Sequence, residues 1–211
     1  MRIGLDIDGV LADFVPVYQA LFVSLTGRNA FEPGDNVDPP VWDWPTLRGY
    51  TDEETSAVWK VITSDLAFWL KLQPHSQNTH TLRAMLKELE RRHEVYFVTS
   101  RPGERSKRQT EIWLYEQLAY PMRVPNVYPT VLIVGSRAKG RIAKALKLDV
   151  YIDDNFDNVM DCATEAPTTR TYLLNRRYNR QDEQGRAMIP APGIRRVDTL
   201  GQMFDAELVN L

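Results

Sequence analysis

Ile3-Gly4-Leu5-Asp6-Ile7-Asp8-Gly9-Val10-Leu11-Ala12 is a short apolar run that breaks on two carboxylates and a glycine. A run of that length reads as a buried parallel strand. Side chains alternate along a strand, so Asp6 and Asp8 are expected to point the same way at its C-terminal end. Gly9 then lets the chain turn. In an open parallel sheet, ligands lie in the crevice outside the carboxyl ends of the strands. Two acids there suit a hard, oxygen-loving cation, and one of them can serve as a nucleophile.

Working outward, Leu148 to Ile152 forms another apolar run, ending in Asp153 and Asp154. Between the two lies Val95-Tyr96-Phe97-Val98, ending in Thr99 and Ser100, and Lys139 opens the helical stretch before the last of these strands. Alternation of apolar runs with helical patterns predicts an α/β fold with a Rossmann-like, three-layer parallel sheet. Strands are expected near 2–6, 94–99, 130–134, 149–153 and 169–174, and helices near 77–91, 105–118, 139–146, 156–163 and 199–209. Leu82, Met85, Leu86 and Leu89, spaced among Lys87, Glu88, Glu90 and Arg91, illustrate the helical period.

The segment 13–75 is far longer than an ordinary crossover. It carries two predicted helices, 13–26 and 51–66, around a Pro/Asp/Trp-rich loop from Phe31 to Tyr50. It is read as a small helical cap inserted after the first strand, over a core of 1–12 and 76–211. Asp13 is expected to cap the first cap helix.

The 211 residues allow one or two domains. A net charge of -2 gives no drive toward long nucleic acid or membranes. The single cysteine, Cys162, excludes an internal disulfide framework and a cysteine-based zinc site. His75, His80 and His93 lack metal-ligand spacing. No run is long enough to span a bilayer, and the chain opens on Met-Arg and a core strand with no room for a leader. A cytoplasmic protein is expected.

The order DxDGV, then Thr-Ser after a strand, then Lys, then a strand ending in IDD resembles the haloacid dehalogenase-like phosphohydrolases over most of the chain. Within them, "DIDGVLADF" and "YIDDNFDNV" are most similar to 5'(3')-deoxyribonucleotidases. The resemblance implies a Mg²⁺-dependent phosphomonoesterase working through an aspartyl-phosphate. It implies Asp6 as nucleophile and Asp8 as the acid and base for the leaving oxygen and the water. Thr99 and Lys139 would act on the phosphate, with Arg137, Lys144 and Lys147 as the alternative cations. Asp6, Asp8 through its carbonyl, and Asp153 would hold the metal, with Asp154 orienting a metal-bound water. Ser100 and Arg101 join the substrate-binding set. The substrate class implied is a (deoxy)nucleoside monophosphate. The rivals are another small phosphate ester, a nucleic-acid 3' end, or a non-catalytic binding protein of the same fold.

Two aromatic groups divide by context. Trp59, Phe68 and Trp69 are expected in the cap's core, whereas Trp42 and Trp44, in the loop, are placed to stack on a nucleobase. The basic tail from Asn175 to Arg196 has no apolar periodicity and reads first as a solvated excursion, with phosphate contact as the weaker option.

Overall fold

A computed structural model describes residues 1–75, 79–120, 129–135 and 137–208. The elements, in chain order, are β1 (Arg2–Leu5), β2 (Ala12–Asp13), α1 (Val15–Thr26), α2 (Trp44–Leu47), α3 (Asp52–Ser64) and β3 (Gln73–Pro74). Then follow α4 (Thr79–Arg92), β4 (Glu94–Thr99), α5 (Ser106–Leu118), β5 (Thr130–Ile133) and α6 (Lys139–Leu146). The chain continues through β6 (Val150–Asp153), α7 (Phe156–Glu165), β7 (Arg170–Leu174), β8 (Arg195–Val197) and α8 (Leu200–Leu208). The expected helix over 77–91 begins on residues outside the described set.

Six strands form one parallel sheet in the order β5-β4-β1-β6-β7-β8. The chain leaves β1 to one side for β4 and β5, then crosses back to β6 on the other. The sequence direction therefore reverses at β1, and the crevice beyond its C-terminal end is the switch point where such sheets bind ligands.

Strand alternation divides the core into two layers. Val95, Phe97, Val150 and Ile152 join Ile3 and Leu5 in the larger cluster, under Leu86 and Leu89 of α4, Trp113 and Leu114 of α5, and Met203 and Phe204 of α8. Val98 and Tyr151 face the other way, against Ala143 of α6 and Cys162 of α7. Gly4 sits beneath Tyr151, where a Cβ would lie 2.9 Å from the ring. That missing side chain leaves room for the Tyr151 ring, whose hydroxyl donates to Asp153, two residues on and on the same face.

The insert between β1 and β4 is tied at its base. β2 and β3 pair antiparallel, and His75 N donates to the Leu11 carbonyl at 2.7 Å. Above this stem, α1 and α3 pack through Phe14, Tyr18 and Trp59, with Tyr18 to Trp59 ring centroids 5.4 Å apart. Helix α3 starts on a capping box, in which Thr51 Oγ1 accepts from Glu54 N and Glu54 accepts from Thr51 N. Helix α1 starts differently from expectation. Its N-cap is Phe14 with no side-chain bond, and Asp13 lies in β2, where burial raises its pKa and Arg176 opposes the rise. Pro16 in the first turn supplies the start instead. Tyr18, Phe22, Trp44, Val58, Phe68 and Trp69 belong to the same apolar cluster as the sheet face.

Candidate active site

The main chain turns sharply after β1. Leu11 N and Ala12 N both donate to the Ile7 carbonyl, and Gly9 takes a φ of +78°. A Cβ on Gly9 would lie 2.0 Å from Asp154 Oδ2, so the residue needs to be glycine for two reasons. Pairing of β1 with β6 places Asp6 at the end of β6, with Asp6 N donating to the Ile152 carbonyl at 3.0 Å.

Asp6, Asp153 and Asp154 converge there, all buried, each with a carboxylate oxygen within 4.8 Å of the others. Lys139 Nζ bridges two of them, 2.7 Å from Asp6 Oδ1 and 2.8 Å from Asp153 Oδ2. A lysine in a helix's first turn runs against the helix dipole. The two carboxylates outweigh both that and the desolvation of its ammonium, and they raise its pKa. Helix α6 reaches this position because Gly140 lets it approach α7. A Cβ there would meet the Asp161 carbonyl at 2.4 Å.

Asp153 is held by several donors. Besides Lys139 it accepts from Tyr151 OH, Asn155 N at 2.8 Å and Asn158 Nδ2 at 3.2 Å. Asp154 accepts from Tyr178 OH, and its main-chain carbonyl accepts from Asn179 Nδ2 at 2.7 Å. Burial and the neighbouring Asp153 push Asp6 well above the usual carboxylate range and Asp154 up to about 7. Lys139 can neutralise only one of three buried carboxylates, so the trio holds more negative charge than its protein partners balance. The donors are all oxygens, and no histidine or cysteine joins them among the described residues. This set fits a hard divalent cation.

The shift on Asp154 gives a measurable sign. The unfolded chain releases that proton near pH 3.8 and the folded chain keeps it to about pH 7. Without a divalent cation, folding therefore takes up a proton across that window, and this contribution to stability falls as pH rises through it. Thermal unfolding is expected to show added Mg²⁺ raising Tm more at pH 8 than at pH 5. An equal rise at both would contradict it.

Asp8 faces a different set. It is partly exposed, accepts from Thr99 Oγ1 at 3.4 Å and lies in the fork of Arg101, with Nε at 2.9 Å and Nη2 at 2.8 Å. Thr99 is buried at the end of β4, and Ser100 beyond it is exposed. Arg101 thus turns inward to a carboxylate rather than outward. Arg137, Lys144 and Lys147, the alternatives to Lys139, are not buried. The two loop tryptophans part company. Trp44 is buried on Tyr18 and Phe31. Trp42 is 60% exposed and edge-on to the ring of Tyr178 at 5.5 Å, and the Tyr178 hydroxyl donates to Asp154.

Residues 180–195 of the tail are exposed or half-buried, as a solvated excursion is, whereas its first residues turn in toward the carboxylates. Arg176 donates to the Gly9 carbonyl, Arg177 N to Asp38 Oδ1 at 2.9 Å, and Tyr178 and Asn179 to Asp154. Arg196 in turn holds the Asn179 and Met188 carbonyls at 2.8 and 2.7 Å. These bonds span long sequence separations and leave no local period to read. Tyr151 had a usable signal, because it precedes Asp153 by two residues on one strand face.

No family model matches the chain. The solved structures it resembles include a haloacid dehalogenase-like hydrolase from Burkholderia xenovorans LB400, with a TM-score of 0.60 at 14% identity over 98% of this chain and 95% of that one. A hydrolase of the same superfamily from Geobacter sulfurreducens PCA superposes with a TM-score of 0.58 at 12% identity, over 97% and 95% of the chains. The fold is that of the haloacid dehalogenase-like hydrolases. A further structure with this fold, from Deinococcus radiodurans R1, has a TM-score of 0.54 at 12% identity over 99% and 95% of the chains, and it holds phosphate and sodium. A nucleotidase of Clostridium acetobutylicum is 25% identical over 111 residues. That match spans 53% of this chain and about half the length of the relative, 53%. Among the described residues, no helix is long and apolar enough to cross a membrane.

Proposed function

We propose that the protein is a Mg²⁺-dependent phosphomonoesterase acting through an aspartyl-phosphate, with a nucleoside or deoxynucleoside monophosphate as substrate. The observation that carries the reading is the convergence of Asp6, Asp153 and Asp154 around Lys139 at the switch point of the sheet. In this reading 13–75 is the cap and 1–12 with 76–211 the catalytic core.

The oxygen of Asp6 not bonded to Lys139 attacks phosphorus, and the bond from phosphorus to the ester oxygen breaks. Asp8 gives that oxygen a proton. Asp8 then takes a proton from water, whose oxygen attacks phosphorus and releases phosphate and the Asp6 carboxylate. Thr99 and Ser100 bond the phosphoryl oxygens, and Lys139 offsets their charge. Asp6, Asp153 and the Asp8 carbonyl would hold the cation, with Asp154 orienting its water. When bound, it supplies charge neutralisation for the phosphoryl group. Tyr151 and Asn158 fix the Asp153 carboxylate for that purpose.

The nucleotide half of the reading rests on Trp42 and on the likeness to the Clostridium nucleotidase. A largely exposed indole packed on Tyr178, whose hydroxyl bonds Asp154, offers a face to a base, with stacking worth about 1–3 kcal/mol. Trp42→Ala is expected to raise KM for nucleoside monophosphates about tenfold or more while leaving p-nitrophenyl phosphate hydrolysis and Tm nearly unchanged. Trp44→Ala is expected to cost about 3–5 kcal/mol of stability, as a buried tryptophan does, with no preference between substrates. Equal losses on both esters from Trp42→Ala would leave a phosphatase without a nucleotide bias. A phosphate-release screen with Mg²⁺ across nucleotides and sugar phosphates tests the substrate class.

A further inference from the structure

Asp8 has a cation of its own, and the chain invests heavily in holding it. The Arg101 side chain is fully buried, while that of its partner Asp8 is 24% exposed. Arg101 Nη1 donates to Thr110 Oγ1 at 3.1 Å, and Thr110 is anchored in α5 through the Ser106 carbonyl at 2.8 Å. The guanidinium carbon lies 4.8 Å from the Trp69 ring and 5.5 Å from that of Trp113. Those two indoles are themselves pinned. Trp69 Nε1 donates to the Pro102 carbonyl and its N to Gln109 Oε1, and Trp113 Nε1 donates to the Leu72 carbonyl.

Burying a guanidinium costs several kcal/mol unless its donors are met. Here the aromatic slot and Thr110 fix the plane, and the two remaining donor edges close on one carboxylate as a bidentate fork. A fork locked this way leaves Asp8 little rotamer freedom. We propose that Arg101 is a positioning residue: Asp8 Oδ1 stays in the fork, accepting from Nη2 at 2.8 Å and Nε at 3.1 Å, so that Oδ2, beside Thr99, carries the proton that passes to the leaving-group oxygen. Trp69 and Leu72 belong to the insert, so docking of the insert on α5 completes the cage. This inference rests on the phosphomonoesterase reading and deepens it. The competing role is direct phosphate contact by Arg101.

Leaving-group dependence separates the two. An alkyl phosphate needs a proton from Asp8 as its ester bond breaks, and p-nitrophenyl phosphate does not. Arg101→Met keeps the slot filled and removes the fork. It is expected to lower kcat on an alkyl phosphate about 100-fold, with KM little changed, and kcat on p-nitrophenyl phosphate less than ~10-fold. Thr110→Val, the milder variant, should move the ratio of the two rates in the same direction. Arg101→Met added to Asp8→Asn should cost nothing further. Equal losses on both esters with a raised KM, or additive losses in the double variant, would overturn the inference and make Arg101 a phosphate ligand. Wild-type protein that hydrolyses neither ester would instead remove the phosphomonoesterase reading on which the inference stands.

Discussion

Asp6→Asn is expected to stop turnover, with kcat falling at least ~10⁴-fold and no covalent phosphate on the protein. The amide matches the carboxylate in shape but lacks its nucleophilic oxygen. The fold should survive, because Asp6 sits among carboxylates that destabilise one another. Burial and Asp153 raise its pKa, so ionising it in the folded protein is costly. Removing one charge from the trio relieves that cost, while Lys139 keeps its 2.8 Å bond to Asp153. Tm measured without divalent cation is therefore expected not to fall. Retained turnover in a folded Asp6→Asn protein would show that another group attacks phosphorus.

Lys139→Met is expected to damage both stability and activity. The ammonium is the buried cation shared by Asp6 and Asp153, and its loss leaves them facing each other. Breaking a buried pair of this kind costs about 3–5 kcal/mol. The loss should be largest near pH 8 and should shrink on acidification, because a protonated Asp6 no longer needs the ammonium. Denaturant unfolding at the two pH values measures this. Turnover should fall ~10³-fold or more, since the developing charge on the phosphoryl oxygens loses its fixed counter-charge. A variant with wild-type stability at pH 8 would place Lys139 outside the electrostatic centre.

The two variants differ in a useful way. Asp6→Asn removes a charge from a site with too many negative ones, and Lys139→Met removes the charge that balances them. Opposite effects on stability, with activity lost in both, would identify the cluster as one electrostatic unit.

The elements that carry the site were legible because they are local. β4 and α6 fall at 94–99 and 139–146, where the apolar runs placed them. Each site carboxylate stands at the end of a short buried run, so composition and position coincide. β8 was hidden within the basic tail, since two of its three residues are arginines and only Val197 is buried. β2 and β3 are two residues each, too short to show a period. Trp42 and Trp44 share a loop in sequence, but Trp44 opens α2 with Pro45 behind it and turns inward. Arg101 stood out by its place after Thr99 and Ser100. Its direction was not readable, because Trp69 and Trp113 form its slot from distant parts of the chain. Arg176, Tyr178 and Asn179 reach the site only through long-range bonds, which no window of sequence contains.

In the proposed reaction phosphate passes through Asp6, and acid quenching during turnover traps it there. Wild-type protein mixed with Mg²⁺ and a nucleoside monophosphate, quenched in acid and digested, would be mapped by mass spectrometry. Phosphate is expected on the peptide carrying Asp6, absent in Asp6→Asn and accumulating in Asp8→Asn with an activated ester. Steady phosphate release with the label on a different residue, or with Asp6→Asn as active as the wild type, would contradict it.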